Sequence, residues 1–137
     1  MCNFKSAIVT KSGDIFIYPD LDSHTDIRHR AGIPEAGISQ HFREAASVPV
    51  EFIPPKGVDP FDFASYVLVV DAGVLEPDWW TREFKVEIEE RIRKWVVDQV
   101  ESGLWPGILD LSDTQITSLP DGLNVGGYIY YPGITEC

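Results

Sequence analysis

The sequence predicts one α+β domain, in which a mostly antiparallel sheet is covered on one face by a single long amphipathic helix. Three observations predict this fold class: two neighbouring β-rich runs near the start, two valine-rich runs further on, and one long stretch with helical periodicity. The 137 residues, of which 44% are hydrophobic, provide enough apolar surface for one packed core.

The chain is predicted to open with a β-hairpin and then a short helix. Residues 3–10 and 14–18 are the two β-rich runs, and Gly13 between them favours the positive φ of a tight turn. Asp22 or Ser23 offers a side-chain oxygen for the N-cap of the helix that follows. A glycine and a proline soon after predict that this helix is short.

Two more strands are expected in the middle of the chain. Residues 38–46 are predicted to add a helical turn or two, and residues 48–53 then form a strand that a Pro-Pro pair ends. The continuous apolar run at residues 66–70 is typical of a central strand that is buried on both faces.

The clearest periodicity predicts a helix from about Asp78, as a candidate cap, to Glu101. Its apolar residues recur at spacings of three and four and form one stripe. An apolar stripe can bind a partner's groove, but we interpret this one as the core face of the helix against the sheet. The stripe consists of Trp80, Phe84, Ile88, Ile92, Trp95, Val96 and Val100.

After a domain spanning residues 1–106, residues 107–137 are predicted to form a short repeat-like extension packed on it. The leucine spacing there is typical of a leucine-rich coil. A shift of 20 residues places Ile129 on Leu109 and Tyr131 on Leu111, which predicts a second, truncated coil. About three coils are needed to bury a solenoid core, so these must dock on the main body or cap it.

The charge balance excludes several classes of function. The chain has 22 acidic and 11 basic residues, a formal net charge of −11. Residues 48–78 contain six acids and one base, and residues 102–137 contain four acids and no Lys or Arg. DNA, RNA and anionic membranes would be repelled by such a surface, so we predict neither direct nucleic-acid binding nor membrane binding.

The sequence resembles an uncharacterised group of phage and prophage proteins. The matches are residues 2–8 (CNFKSAI), 22–24 (DSH), 50–55, 70–71 and 77–79, followed by a leucine-rich coil with a Val-Gly-Gly link. The resemblance implies a phage or prophage origin and hence the cytoplasm of a bacterial host. It implies little chemistry, and the short C-terminal array departs from the long repeats of some members.

An interaction function is the first of two hypotheses. A small acidic phage protein needs only a surface to bind and modulate a host protein, such as a defence component. Acidic loops and exposed aromatic rings are expected to form the contact. The sequence does not specify an oligomeric state. The candidate binding residues are Asp59, Asp62, Asp71, Trp79, Trp105 and Tyr131.

The alternative hypothesis is a small enzyme that uses Cys2 for acyl transfer or hydrolysis. Removal of the initiator Met would leave a thiol and an α-amine on one residue, each with a pKa of roughly 8. The first twenty or so residues are loosely similar to N-terminal-cysteine hydrolases. His24 would transfer the proton, and a flanking carboxylate such as Asp22 would hold the imidazole. The competing interpretation is that Asp22 and Ser23 only cap a helix.

No cofactor or metal is predicted from sequence spacing. His24 and His29 are five residues apart rather than four, and no Cys-x-x-Cys or His-x-x-x-His occurs. No Gly-rich loop with Lys-Ser/Thr is present to hold a phosphate.

Overall fold

A four-stranded antiparallel sheet is the centre of the fold, as expected for the α+β class. The computed structural model describes residues 5–33, 46–55, 59, 61–71, 74, 76–106, 109–110, 123–125 and 129–130. The sheet has the order β2-β1-β3-β4. Its strands are β1 (Lys5–Thr10), β2 (Ile15–Phe16), β3 (Ser47–Ile53) and β4 (Val67–Val70).

The predicted hairpin forms β1 and β2. Ile8 pairs with Phe16 and Val9 with Ile15. Gly13 in the turn has φ 92°, a left-handed conformation that a side chain would strain. The predicted strand at residues 14–18 is shorter in the structure and ends after Phe16.

Helix α1 (His24–Ala31) lies against β1, and Ser23 is its N-cap rather than Asp22. The Ser23 hydroxyl accepts a hydrogen bond from the backbone N–H of Asp26 at 3.4 Å. The helix ends at Gly32, whose φ of 72° places it in the left-handed region. The fully buried Ile27 and the Arg28 side chain, which donates to the Ser47 hydroxyl at 2.8 Å, join the helix to the sheet.

Helix α2 (Arg82–Glu101) covers the other face and confirms the predicted apolar stripe. Its N-cap is Thr81, which accepts from the Phe84 N–H at 3.2 Å, so the expectation of Asp78 as the cap was wrong. The reason is a tight turn before the helix, in which the Trp80 N–H donates to the Pro77 carbonyl. In the described part of the chain, no helix is both long and apolar enough to cross a bilayer.

The main core lies between α2 and the alternate side chains of the sheet that face it. Because β1 and β3 pair in register, with Ala7 opposite Val50, alternate residues of the two strands share the face that meets α2. The core residues are Ala7, Val9, Val48, Val50, Phe52, Tyr66, Leu68, Trp80, Ile88, Ile92 and Val96.

Strand β4 is an edge strand, and the prediction of a central, doubly buried strand was wrong. It pairs with β3 alone among the described strands, and Val67 is 42% exposed. The outward N–H of Leu68 is instead covered by α2, because the Glu89 carboxylate accepts it at 3.0 Å. The unbroken run of apolar residues does not indicate that β4 lies at an edge, because the position of a strand in a sheet depends on which strands pair with it.

The C-terminal strands pair in the 20-residue register that the sequence predicts. They are β5 (Leu104–Trp105), β6 (Leu109–Asp110), β7 (Asn124–Val125) and β8 (Ile129–Tyr130). Strand β5 pairs parallel with β7, Leu104 opposite Asn124, and β6 pairs parallel with β8, Leu109 opposite Ile129. Both pairs have the same offset, as successive coils of a repeat do.

Candidate functional site

Of the predicted catalytic residues, the structure describes His24 and Asp22, which take part in different interactions. Cys2 lies outside the described residues. His24 is the first residue of α1, and its side chain is 17% exposed. Asp22 does not hold the imidazole, because its Oδ1 accepts from the Lys5 ammonium at 2.9 Å. This corrects the expectation that Asp22 orients His24.

Both ring nitrogens of His24 face acceptors. Nε2 lies 2.9 Å from the Val50 carbonyl oxygen, and Nδ1 lies 3.5 Å from Asp71 Oδ2. Because a carbonyl oxygen only accepts, the hydrogen of the neutral imidazole belongs on Nε2. The Nδ1 lone pair then points toward a carboxylate, so the two groups repel unless a proton or another cation lies between them.

Glu51 joins His24 and Asp71 in one cluster, which we call the His24 cluster. One ligand atom from each of the three residues lies within 4.8 Å of the other two, and all three residues are half-buried. Burial raises the pKa of Glu51, the negative charge of Asp71 raises it further, and His24 acts in the opposite direction. Two carboxylates and an imidazole are a donor set that can hold a divalent metal ion.

The sheet register explains why these residues meet. Glu51 pairs with Val69 on β4, and alternation returns the next-but-one residue, Asp71, to the same face. The Asp71 N–H donates to the Pro49 carbonyl at 3.0 Å, which extends the pairing to Asp71 itself. Helix α1 lies over this face through Ile27 and thereby positions His24 at its start.

The first two residues of β1 are polar and buried. Lys5 is 3% exposed, and its ammonium donates to the Leu21 carbonyl at 2.7 Å and to Asp22. Burial lowers the pKa of Lys5, and the charge of Asp22 offsets only part of that effect. Ser6 pairs directly with Glu51, is 1% exposed, and its hydroxyl has no hydrogen-bond partner among the described residues.

The predicted acidic binding residues lie in two places. Asp59 and Asp62 are both exposed and stabilise one turn: Asp59 Oδ1 accepts the Phe61 N–H at 2.8 Å, and Asp62 Oδ2 accepts the Ser65 hydroxyl at 2.7 Å. Burial raises the pKa of Tyr66 well above its usual value, and the charges of these two carboxylates add to the effect. Asp71, 40% exposed, belongs to the His24 cluster instead.

The predicted exposure of the aromatic residues is wrong for Trp105. That side chain is 4% exposed and packs on Phe61 and Phe63, with ring centroids 5.1 and 5.6 Å apart, because β5 follows α2 directly into a second, smaller core. Trp79 is half-buried against Phe84. Tyr131 lies outside the described residues.

The sequence interpretation missed Glu51 altogether. Glu51 stands in an alternating strand among valines and a phenylalanine, so alternation marks it as facing away from the core. A polar residue on that face is ordinary in a half-solvated sheet. Only the antiparallel partner of β3 and the helix packed over it bring Asp71 and His24 to the same place.

Comparison of the chain with protein-family models, with curated proteins and with solved structures finds no match.

Proposed function

We propose that this protein acts by binding another protein that presents a basic surface, and that the contact lies on its acidic segment. The acidic segment comprises residues 57–81, which contain no Lys or Arg. The single observation that carries the proposal is that four carboxylates of this segment are exposed, and that one of its apolar side chains is exposed as well. They belong to Asp59, Asp62, Glu76 and Asp78, and the apolar side chain is Val67.

The charge of the segment is not cancelled by Arg93, the described cation that donates to its backbone. Arg93 on α2 donates to the carbonyls of Phe63 and Tyr66, but the same guanidinium also contacts Glu89 and Glu90. One positive charge therefore meets two negative ones there, and the exposed Asp59 and Asp62 carboxylates add to the negative field. Such a surface attracts basic partners and repels acidic ones.

The resemblance to phage and prophage proteins supports a host protein as the partner, met in the cytoplasm of a bacterial host. A protein that modulates a host component needs a specific surface and no reaction centre of its own. The half-buried Trp79, within the acidic segment near its end, would contribute apolar contact area, as aromatic side chains commonly do in protein interfaces.

The test removes charge without disturbing the turn. Asp59→Asn/Asp62→Asn keeps side-chain oxygens that can accept the two turn hydrogen bonds but removes two negative charges. The matched control, Glu87→Gln/Glu101→Gln, removes two charges from exposed positions of α2. A partner captured from host lysate by the wild-type chain is identified, purified and titrated against all three proteins.

We expect the Asp59→Asn/Asp62→Asn variant to bind the purified partner at least tenfold more weakly, with a reduced dependence on salt. The control variant should bind as the wild-type chain does. Equal affinity of the two double variants would contradict the proposal, since the loss would then follow total charge rather than position.

A Cys2-dependent enzyme is the second candidate. It is favoured by the geometry of His24: with Nε2 against the Val50 carbonyl, the imidazole offers Nδ1 as a proton acceptor, although Asp71 already lies against that nitrogen. Intact-mass spectrometry after brief iodoacetamide treatment over a pH series tests it. Activation predicts that Met1 is absent and that Cys2 reacts well below pH 8 and faster than Cys137. His24→Gln should remove that advantage, whereas equal rates for the two thiols would rule the candidate out.

A further inference from the structure

We propose that His24, Glu51 and Asp71 bind a divalent transition-metal ion of the Zn²⁺ class. The inference goes beyond partner binding and does not depend on it. The three residues belong to the start of α1, to β3 and to the end of β4, and one ligand atom from each lies within 4.8 Å of the others. Imidazole nitrogen and carboxylate oxygen are donors that Zn²⁺ accepts together.

The orientation of His24 is that of a metal ligand. Metal-bound histidines usually donate their second ring N–H to a carbonyl or carboxylate, which holds the ring in place. Here Nε2 donates to the Val50 carbonyl at 2.9 Å, and Nδ1 is left as the ligand atom. The bond to a strand carbonyl also keeps the imidazole over the face of the sheet that carries Glu51.

The spacing between His24 and Asp71 matches a shared ion better than a direct hydrogen bond. Nδ1 and Oδ2 are 3.5 Å apart, at the outer limit for hydrogen bonding. Ligand atoms placed about 2.1 Å from a tetrahedral Zn²⁺ are about 3.4 Å from each other. Two of the three ligand atoms therefore already have the required separation, and a torsional movement of the half-buried Glu51 side chain completes the set.

The charges also favour a cation. With a neutral imidazole, Glu51 and Asp71 contribute two negative charges at close range. Among the described residues, neither carboxylate forms an ion pair with Lys or Arg, and the buried Lys5 ammonium bonds to Asp22 and the Leu21 carbonyl instead. A divalent ion balances the two carboxylates and removes their mutual repulsion.

The buried Ser6 hydroxyl is an independent observation that points to a ligand. Ser6 is the register partner of Glu51, so its side chain is on the same face of the sheet, and its oxygen has no partner among the described residues. A buried polar group without a partner is costly and rare. Three protein ligands leave one position of a tetrahedral ion for water, and that water would supply the hydroxyl with a partner.

The test is a calorimetric titration of the full chain with ZnCl₂ after removal of bound metal by a chelator. The titration uses a Cys2→Ser/Cys137→Ser background, because thiolates also bind Zn²⁺. We expect one ion per chain with a dissociation constant in the micromolar range or below, and a rise in the melting temperature on adding Zn²⁺. Millimolar MgCl₂ should not compete, since Mg²⁺ prefers oxygen ligands.

Three variants separate the cluster from other sources of binding. His24→Gln and Glu51→Gln should each weaken Zn²⁺ binding at least thirtyfold and abolish the rise in melting temperature. His29→Gln, an exposed histidine on the same helix, should change neither. Far-UV circular dichroism tests whether each variant folds. If His24→Gln does not fold, the near-isosteric Glu51→Gln alone tests the His24 cluster.

Several outcomes would overturn the proposal. They are no binding at millimolar Zn²⁺, loss of binding in the cysteine-free background, equal loss in the His29 variant, or full binding by Glu51→Gln. If His24 is instead an imidazolium paired with Asp71, no Zn²⁺ should bind at millimolar concentration. None of them bears on the partner proposal, whose variants lie at Asp59 and Asp62.

Discussion

Replacing Arg93 by methionine should destabilise the fold more than any other change of a charged residue on α2. The guanidinium donates from Nε to the Phe63 carbonyl at 2.9 Å and from Nη2 to the Tyr66 carbonyl at 2.8 Å. It also contacts the carboxylates of Glu89 and Glu90, and its side chain is only 16% exposed. Arg93 thus joins α2 to the turn that precedes β4.

The expected loss follows from these bonds. Hydrogen bonds from a charged donor contribute about 1.5–3 kcal/mol each, so losing two costs about 3–6 kcal/mol. Methionine keeps much of the packing over the Phe52 ring and avoids burying a guanidinium, which offsets part of that cost. We therefore expect the free energy of unfolding to fall by about 3 kcal/mol.

Urea denaturation followed by tryptophan fluorescence measures the change, provided that the slope of the transition is conserved. Arg93→Lys should lose about half as much, because one ammonium cannot reach both carbonyls in the same geometry. The control is Lys94→Met. The Lys94 side chain is 80% exposed and its ammonium lies 3.9 Å from Asp98, so this change should alter stability by less than about 0.5 kcal/mol. A loss of less than about 1 kcal/mol for Arg93→Met, or a loss no larger than that of the control, would contradict this expectation.

Three further predictions concern single side chains. Thr81→Ala should lower stability by about 1 kcal/mol in thermal melts because the Phe84 N–H loses its cap, whereas an unchanged melting temperature would place the helix start elsewhere. The pKa of Tyr66 is raised in the fold, so above about pH 10 only the unfolded state releases the phenol proton. The free energy of unfolding of the wild-type chain should therefore fall by about 1.4 kcal/mol per pH unit relative to that of Tyr66→Phe, and parallel pH profiles of the two proteins would refute this. Ile92 is 1% exposed, so Ile92→Ala should lower the free energy of unfolding in urea by about 2–5 kcal/mol. Val86 is 55% exposed, so Val86→Ala should lower it by less than about 0.5 kcal/mol, and similar losses for the two variants would contradict the assigned helix face.

Local patterns were sufficient for most elements of the fold. The hairpin turn at Gly13 and the apolar stripe of α2 were predictable because neighbouring residues determine them. The 20-residue register of Leu109 with Ile129 was predictable because the leucine spacing repeats. The start of α2 was misplaced, since Asp78 and Thr81 are both good caps and the turn after Pro77 selects the second. Helix ends depend on such turns, which composition does not reveal.

The candidate site was predictable only in part. His24 stood out as a titratable side chain at a helix start, but the nearest carboxylate in sequence, Asp22, pairs with Lys5 instead. The carboxylate that does reach His24 belongs to Asp71, which follows a different strand. Sequence proximity favours helix caps and turns, whereas side chains that face each other across a sheet are often tens of residues apart.

The sequence by itself determined the fold class, the acidic character of the surface and the face that α2 turns to the core. These properties depend on composition and on periodicities of two and 3.6 residues, which act over one element at a time. Tertiary structure alone decided that β4 lies at an edge, that Trp105 is buried, and that His24, Glu51 and Asp71 converge. Strand order, register and the placement of α1 control those outcomes, because each depends on contacts between segments far apart in the chain.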